Sequence, residues 1–273
     1  MFVLKNTQLE VAVLDPMADA ARFGTRYCTG GYIFQITDAR HGPLLTGPTY
    51  PESFNVFDGQ GIPDAFNLAP LKVAEREPVA LILGVGLCDL AEHKIVEPCP
   101  WQIDPSAKAI RFVTRHAFHD WVIELERTIT LINRTVRSDT HLNNTGRRPA
   151  PISWFPHPFF PQLPEGHDEL IKVNGLFDSF DSNGYVLSDN GFISRRNWPW
   201  GGGHYQALDY RPSGNGFSLI QRHPMLGQIT ATGSYTPTFF PIWGNQNTFS
   251  WEPFFERTLA SGQNTAWRID YDF

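Results

Sequence analysis

The stretch from Ala109 to Asn144 constrains the fold most strongly, because apolar and polar side chains alternate along much of its length. Ile110 and Phe112 lie near its start, and Ile129 and Leu131 repeat the spacing further on. A period of two places successive side chains on opposite faces of a β-strand, so that one face can join a core. We therefore predict successive antiparallel strands that turn near the sequence HAFHD at 116–120.

Short segments of the same kind recur along the rest of the chain. They include GYIFQITDA, PVALILGVGL, GFSLIQRHP, QITATGSY and the closing TAWRIDYDF. The chain has 23 glycines and 22 prolines, and 14% of its residues are aromatic, which is typical of many short strands joined by turns. We predict an all-β fold, a large antiparallel β-sandwich. Because no linker and no repeat of fixed period interrupts the pattern, we expect a single domain over residues 1–273.

The charge and cysteine content narrow the class of partner. The net charge is −6, so no basic surface is expected to attract nucleic acid or an anionic membrane. No run approaches the roughly 20 apolar residues of a membrane helix. The three cysteines have no CxxC spacing, which argues against a metal site and favours reduced thiols in a cytoplasmic setting. We expect a cytoplasmic protein with a neutral or modestly polar small molecule as its ligand.

Two distant aromatic segments each place an ionisable residue before a proline. The first is LNNTGRRPAPISWFPHPFFPQLPEG at 142–166, with His157 between two prolines that restrict its backbone to extended geometry. The second is FSWEPFFERTLASGQNTAWRIDYDF at 249–273, with Glu252 between a tryptophan and a proline. Burying an unpaired carboxylate is costly, so Glu252 is expected either to be paired or to have a chemical role.

The order of these motifs resembles the aldose 1-epimerases, also called galactose mutarotases. The features that carry the resemblance are an NTG turn, the HPFF and LP sequences after it, a WEP sequence about 90 residues later, and an SG turn before a final strand. The resemblance implies a galactose mutarotase-like supersandwich and the interconversion of the α and β anomers of an aldose without a cofactor. It assigns Glu252 as the base that takes the C1 hydroxyl proton and His157 as the acid that protonates the ring oxygen.

The resemblance also implies substrate-binding residues. Arg26, or Arg22 near it, corresponds to the family's sugar-binding arginine, and Asp178, or Asp181 near it, to an aspartate that binds sugar hydroxyls. Aromatic faces can stack on the apolar face of a pyranose. The candidates for this role are Trp154, Phe159 and Trp243. The sequence GGGHY at 201–205 is expected to form a rim loop with His204 beside the ligand.

The sequence departs from the family pattern at the second active-site histidine. No HG sequence lies between Gly59 and Gln102, and His93, His116 and His119 are the candidates to replace it. This departure leaves a sugar phosphate, a uronate or an amino sugar open as the substrate. A non-catalytic carbohydrate-binding sandwich is the alternative function.

The geometry of the pair distinguishes these functions, because a filled or closed cleft would favour the non-catalytic protein. We expect His157 and Glu252 to face each other across an open cleft at about 5 to 7 Å, from hydrogen-bond reach on each side of a sugar. Burial would raise the pKa of the Glu252 carboxyl, whereas a protonated histidine nearby would lower it.

Overall fold

The architecture is given by a computed structural model that describes residues 1–49, 58–74 and 77–273. Strands dominate it, in agreement with the predicted fold class. The one helical element among these residues is a 3-10 turn at Ala20–Arg22. No helix in the described part of the chain is long and apolar enough to span a membrane.

The described residues form twenty-four strands. They are β1 (Phe2–Lys5), β2 (Leu9–Val13), β3 (Ile33–Asp38), β4 (Gly42–Pro43), β5 (Asp64–Ala65), β6 (Val79–Ile82), β7 (Gly86–Asp89), β8 (Lys94–Pro98), β9 (Gln102–Pro105), β10 (Ala109–Phe118), β11 (Trp121–Ile132), β12 (Thr135–Asn144), β13 (Ala150–Pro156), β14 (Phe160–Pro161), β15 (Glu169–Val173), β16 (Tyr185–Leu187), β17 (Ile193–Arg195), β18 (His204–Leu208), β19 (Phe217–His223), β20 (Gly227–Gly233), β21 (Phe240–Gly244), β22 (Thr248–Trp251), β23 (Phe255–Leu259) and β24 (Asn264–Asp272).

A ten-stranded antiparallel sheet is the largest element, with the order β16-β17-β15-β19-β20-β24-β12-β11-β10-β9. The smaller sheets have the orders β1-β2-β3-β4, β23-β13-β5, β14-β22-β21-β18 and β6-β7-β8. The strands predicted over 109–144 are β10, β11 and β12 of the ten-stranded sheet. The turn between β10 and β11 falls at His119 and Asp120, inside the predicted HAFHD sequence.

The alternating pattern determines which face of the large sheet is buried. On β11 every second side chain from Trp121 to Leu131 is buried, and the residues between them are mostly half-buried. The buried face packs against the smaller sheets through aromatic side chains. Trp267 of β24 contacts Trp154 of β13 at a ring-centroid distance of 5.2 Å, and Tyr271 stacks on Trp251 of β22 at 5.9 Å. The main core therefore lies between the large sheet and the smaller sheets, as expected for a sandwich.

One ion pair lies inside this core. Arg127 of β11 is completely buried, pairs with Asp64 of β5, and donates hydrogen bonds to the hydroxyls of Thr140 at 2.8 Å and Ser138 at 2.9 Å. A buried charge needs such partners, because desolvation is expensive. The pair connects the large sheet to β5, and β5 pairs with the end of β13 next to His157.

Candidate active site

The backbone around His157 is held by hydrogen bonds to the segment at 61–63. β13 ends at Pro156, and the His157 N–H then donates to the Pro63 carbonyl at 2.8 Å. Two residues later the Phe159 N–H donates to the Gly61 carbonyl at 2.7 Å. The prolines before and after His157 restrict the backbone, and these two hydrogen bonds fix its position against the 61–63 segment.

Glu252 follows directly after β22, where the side chains of alternate residues point to the same face. Its N–H donates to the Pro241 carbonyl at 2.9 Å. The preceding residue, Trp251, faces the core and donates its indole N–H to Gln221 at 2.7 Å. Ser250 and Glu252 therefore point together towards His157.

The two predicted catalytic residues are in direct contact. Nε2 of His157 lies 3.3 Å from Oε1 of Glu252, and Nδ1 lies 2.9 Å from Oγ of Ser250. Both residues are largely buried, with exposed fractions of 4% for His157 and 9% for Glu252. The expected separation of about 5 to 7 Å is wrong, because the carboxylate and imidazole meet directly rather than standing apart by the width of a sugar.

The pair forms part of the wall of a cleft of about 330 Å³. The other residues that line it are Arg26, Pro48, Asp58, Phe159, Tyr205 and Trp243. Phe159 stacks on the His157 imidazole at a centroid distance of 4.4 Å, and Trp243 approaches the same ring edge-on at 6.2 Å. Tyr205 is the most exposed of these aromatics and stands at the rim. The cleft combines aromatic faces with charged groups, a common composition for small-molecule sites.

Burial shifts the pKa values of the pair in opposite directions. It raises the pKa of the Glu252 carboxyl to about 7, although the positive charge of Arg26 opposes the shift. Burial also holds the pKa of the His157 imidazole well below its ordinary value, and Arg26 adds to this effect. Of the two influences expected at Glu252, desolvation is the stronger. Shifts of this kind are typical of functional sites.

Five of the seven residues proposed from the sequence line this cleft: His157, Glu252, Arg26, Phe159 and Trp243. Two lie elsewhere. Trp154 is buried in the core between Trp267 and Tyr235, because its position on β13 faces the large sheet. Asp178 is exposed and forms an ion pair with Arg211. The structure therefore does not place Trp154 or Asp178 where a ligand in this cleft would touch them.

The other residues named as candidates also lie outside the described lining. Arg22 packs over the Phe34 ring, and Asp181 pairs with Arg196. His116 is buried, accepts the Gly84 N–H at 3.0 Å and has its pKa lowered to about 4 by burial.

His93 and His119 have φ values of 52° and occupy turns between strands. Among the described residues that line the cleft, His157 is the only histidine. The structure therefore does not bring a second histidine from these candidates to the site.

Three lining residues, Pro48, Asp58 and Tyr205, are absent from the sequence-based site. Asp58 belongs to a DG dipeptide, which by itself indicates only a turn. Tyr205 belongs to the GGGHY sequence, where His204 was the expected contact. Because alternate residues of β18 face opposite ways, Tyr205 reaches the cleft while His204 packs on Trp200 at 4.8 Å.

No cluster of three or more potential ligands for a metal ion occurs among the residues that the structure describes. The site that can be built from them consists of two carboxyl groups, an imidazole, an arginine and aromatic faces.

The architecture is that of the galactose mutarotase-like β-sandwiches, as comparison with solved structures shows. A galactose mutarotase related enzyme from Lactobacillus acidophilus superposes with a TM-score of 0.63 at 13% identity, covering 99% of this chain and 96% of that one. A galactose mutarotase-like protein from Lactobacillus casei superposes with a TM-score of 0.59 at 14% identity, covering 100% of this chain and 99% of that one. An aldose epimerase homologue from C. elegans superposes with a TM-score of 0.54 at 12% identity, covering 99% of this chain and 97% of that one.

At such identities the likeness concerns the fold, which is the predicted one. No protein-family model matches the sequence. No curated protein matches it either. The function therefore has to be argued from the site.

Proposed function

We propose that this protein is a divergent aldose 1-epimerase that interconverts the α and β anomers of a free sugar. The observation that carries the proposal is the contact of 3.3 Å between His157 Nε2 and Glu252 Oε1 on the wall of an open cleft. The C1 hydroxyl and the ring oxygen of an aldose are bonded to the same carbon. Two parallel hydrogen bonds of ordinary length can therefore reach them from two neighbouring protein atoms.

The reaction needs one proton on the pair. In the resting pair this proton is on Glu252, whose pKa is the higher of the two, and it passes to His157 along their direct contact. The Glu252 carboxylate then takes the proton of the C1 hydroxyl while His157 donates its Nε2 proton to the ring oxygen. The bond between C1 and the ring oxygen breaks and C1 becomes an aldehyde. Rotation about C1–C2 and the reverse steps close the ring on the other face.

The burial of the pair favours these proton transfers. A raised pKa makes the Glu252 carboxylate a stronger base, and a lowered pKa makes protonated His157 a stronger acid. Both groups are neutral after ring opening, and desolvation favours the neutral forms. The aromatic surroundings therefore stabilise the protonation state of the open-chain intermediate.

The lining of the cleft suits a neutral sugar. Trp243 and Phe159 offer aromatic surfaces for the apolar face of a pyranose. Arg26 and Asp58 offer hydrogen-bonding groups for its hydroxyls. The described lining contains one cation, Arg26, and the carboxyl groups of Asp58 and Glu252. A phosphate group has up to two negative charges, which a single arginine next to these carboxyl groups does not offset, so a neutral aldose fits better than its 6-phosphate.

The test is the rate at which freshly dissolved α-glucose, α-galactose and their 6-phosphates reach anomeric equilibrium, followed by polarimetry and NMR exchange. The wild type should accelerate equilibration of a neutral aldose. Glu252→Gln should lose at least 100-fold in kcat, a typical loss for a missing general base. Glu256→Gln is the matched control, because that carboxylate lies four residues away and bonds Thr238 outside the cleft.

Each outcome is decisive. Equal rates for the wild type and Glu252→Gln would remove Glu252 from the role of base. If no aldose equilibrates faster than in buffer, the epimerase proposal fails. Saturable sugar binding without acceleration would then identify a carbohydrate-binding protein.

A further inference from the structure

Two side chains from one segment, the end of β22 and the residue after it, contact the two ring nitrogens of His157. Ser250 and Glu252 are two residues apart, and their side chains meet Nδ1 at 2.9 Å and Nε2 at 3.3 Å. Ser250 is completely buried and is not among the residues that line the cleft. Its hydroxyl therefore faces the imidazole and not the space that a ligand would occupy.

We infer that Ser250 is a positioning residue that orients the His157 ring so that Nε2 is the nitrogen that transfers the proton. The inference rests on the proposed epimerase function for its kinetic consequence. Rotating the ring by half a turn would place carbon atoms against the Ser250 hydroxyl and the Glu252 carboxylate. Both hydrogen bonds would be lost inside a buried site, where unpaired polar groups are costly.

A hydroxyl is suited to this task because it can donate or accept. In the resting pair Glu252 holds the shared proton beside Nε2, so Nδ1 carries the ring proton and donates it to Ser250 Oγ. When the imidazole is protonated, Nδ1–H still donates and Ser250 Oγ accepts. When Glu252 is ionised and the ring proton is on Nε2, the Ser250 O–H donates to Nδ1. The ring therefore keeps one orientation in all three states, whereas a carbonyl oxygen, which can only accept, would fit two of them.

The packing around the ring leaves Ser250 as the polar contact on that side. One face of the imidazole stacks on Phe159, and the rings of Tyr27 and Trp243 approach it edge-on at 6.2 Å each. These contacts limit tilting, but an aromatic surface does not distinguish a ring nitrogen from a ring carbon by hydrogen bonding. Ser250 and Glu252 make that distinction.

The experiment compares Ser250→Ala with Thr248→Val. Thr248 lies on the same strand and is equally buried, but its hydroxyl donates to the Phe160 carbonyl at 2.8 Å and not to His157. Losing one neutral hydrogen bond should lower kcat for the neutral aldose by about 2- to 10-fold in Ser250→Ala, with KM unchanged. Thr248→Val should retain the wild-type kcat. Ser250→Cys, whose thiol is a weaker hydrogen-bonding group of similar size, should lie between Ser250→Ala and the wild type.

A second measurement does not depend on activity. In protein labelled with ¹⁵N, the resting pair has the His157 ring proton on Nδ1, facing Ser250 Oγ, and this proton should give a slowly exchanging ring N–H signal, assigned by its loss in His157→Gln. The signal should broaden or disappear in Ser250→Ala and persist in Thr248→Val. Wild-type kcat and an unchanged ring signal in both Ser250 variants would overturn the inference. If the wild type equilibrates no aldose, the proposed function fails, and the ring signal still decides the role of Ser250.

Discussion

The buried ion pair between Arg127 and Asp64 should be essential for stability. Arg127 is inaccessible to solvent, and Asp64 lies at the strand that supports the site: its carbonyl accepts the Cys28 N–H at 2.7 Å, and the carbonyl before it accepts the His157 N–H. Arg127→Met keeps most of the volume and removes the charge. Because the Asp64 carboxylate then stays buried without a partner, we expect a loss of about 3 to 5 kcal/mol in the free energy of unfolding.

The loss should depend on pH in a specific direction. Burial already raises the pKa of Asp64 to about 6 against the opposing charge of Arg127. Without Arg127 it should rise further, while the unfolded chain keeps the ordinary value of 3.8. A folded state that binds a proton which the unfolded state releases loses stability as pH rises. The difference in the free energy of unfolding between the wild type and Arg127→Met should therefore increase above about pH 6.

Urea unfolding at pH values below and above 6 measures both effects. Arg137→Met is the matched control, because its ion pair with Asp270 is on the partly exposed face of the same sheet and should contribute about 1 kcal/mol or less. Adding Asp64→Asn to Arg127→Met should recover stability at the higher pH but little at the lower one. If Arg127→Met costs no more than Arg137→Met, the reasoning from burial is refuted.

Three further predictions concern the cleft. First, the pair must hold one proton, and the pKa of Glu252 is about 7, so kcat/KM should fall as pH rises through about 7. NMR exchange measures this rate, and rates that stay level from pH 6 to pH 9 would contradict the shared-proton scheme. Trp243→Ala should raise KM for a neutral aldose about 3- to 10-fold through lost stacking, with a smaller change in kcat, as measured by initial rates. Asp58→Asn should also raise KM, whereas Asp178→Asn, at an exposed position outside the cleft, should leave KM unchanged. If initial rates measured over a range of sugar concentrations give the same KM for both variants, Asp58 has no hydroxyl-binding role.

The fold could be predicted because it depends on local patterns. Alternation over 109–144 predicted successive antiparallel strands and a turn near HAFHD, since a period of two allows one buried face. The two proline-flanked motifs indicated His157 and Glu252, because an ionisable residue in an aromatic strand needs a partner. Trp154 shows the limit of such reasoning. It lies three residues before His157, yet strand direction turns its side chain into the core.

What the sequence determined by itself was the all-β class and the two proline-flanked ionisable residues, His157 and Glu252, as candidates for the site. Only the tertiary structure decided that these groups touch at 3.3 Å, that Ser250 contacts the other ring nitrogen, and that Asp58 and Tyr205 complete the cleft. The physical reason is that strand patterns arise from neighbours along the chain. The cleft instead joins segments far apart in sequence, whose side chains meet only after the layers pack and exclude water.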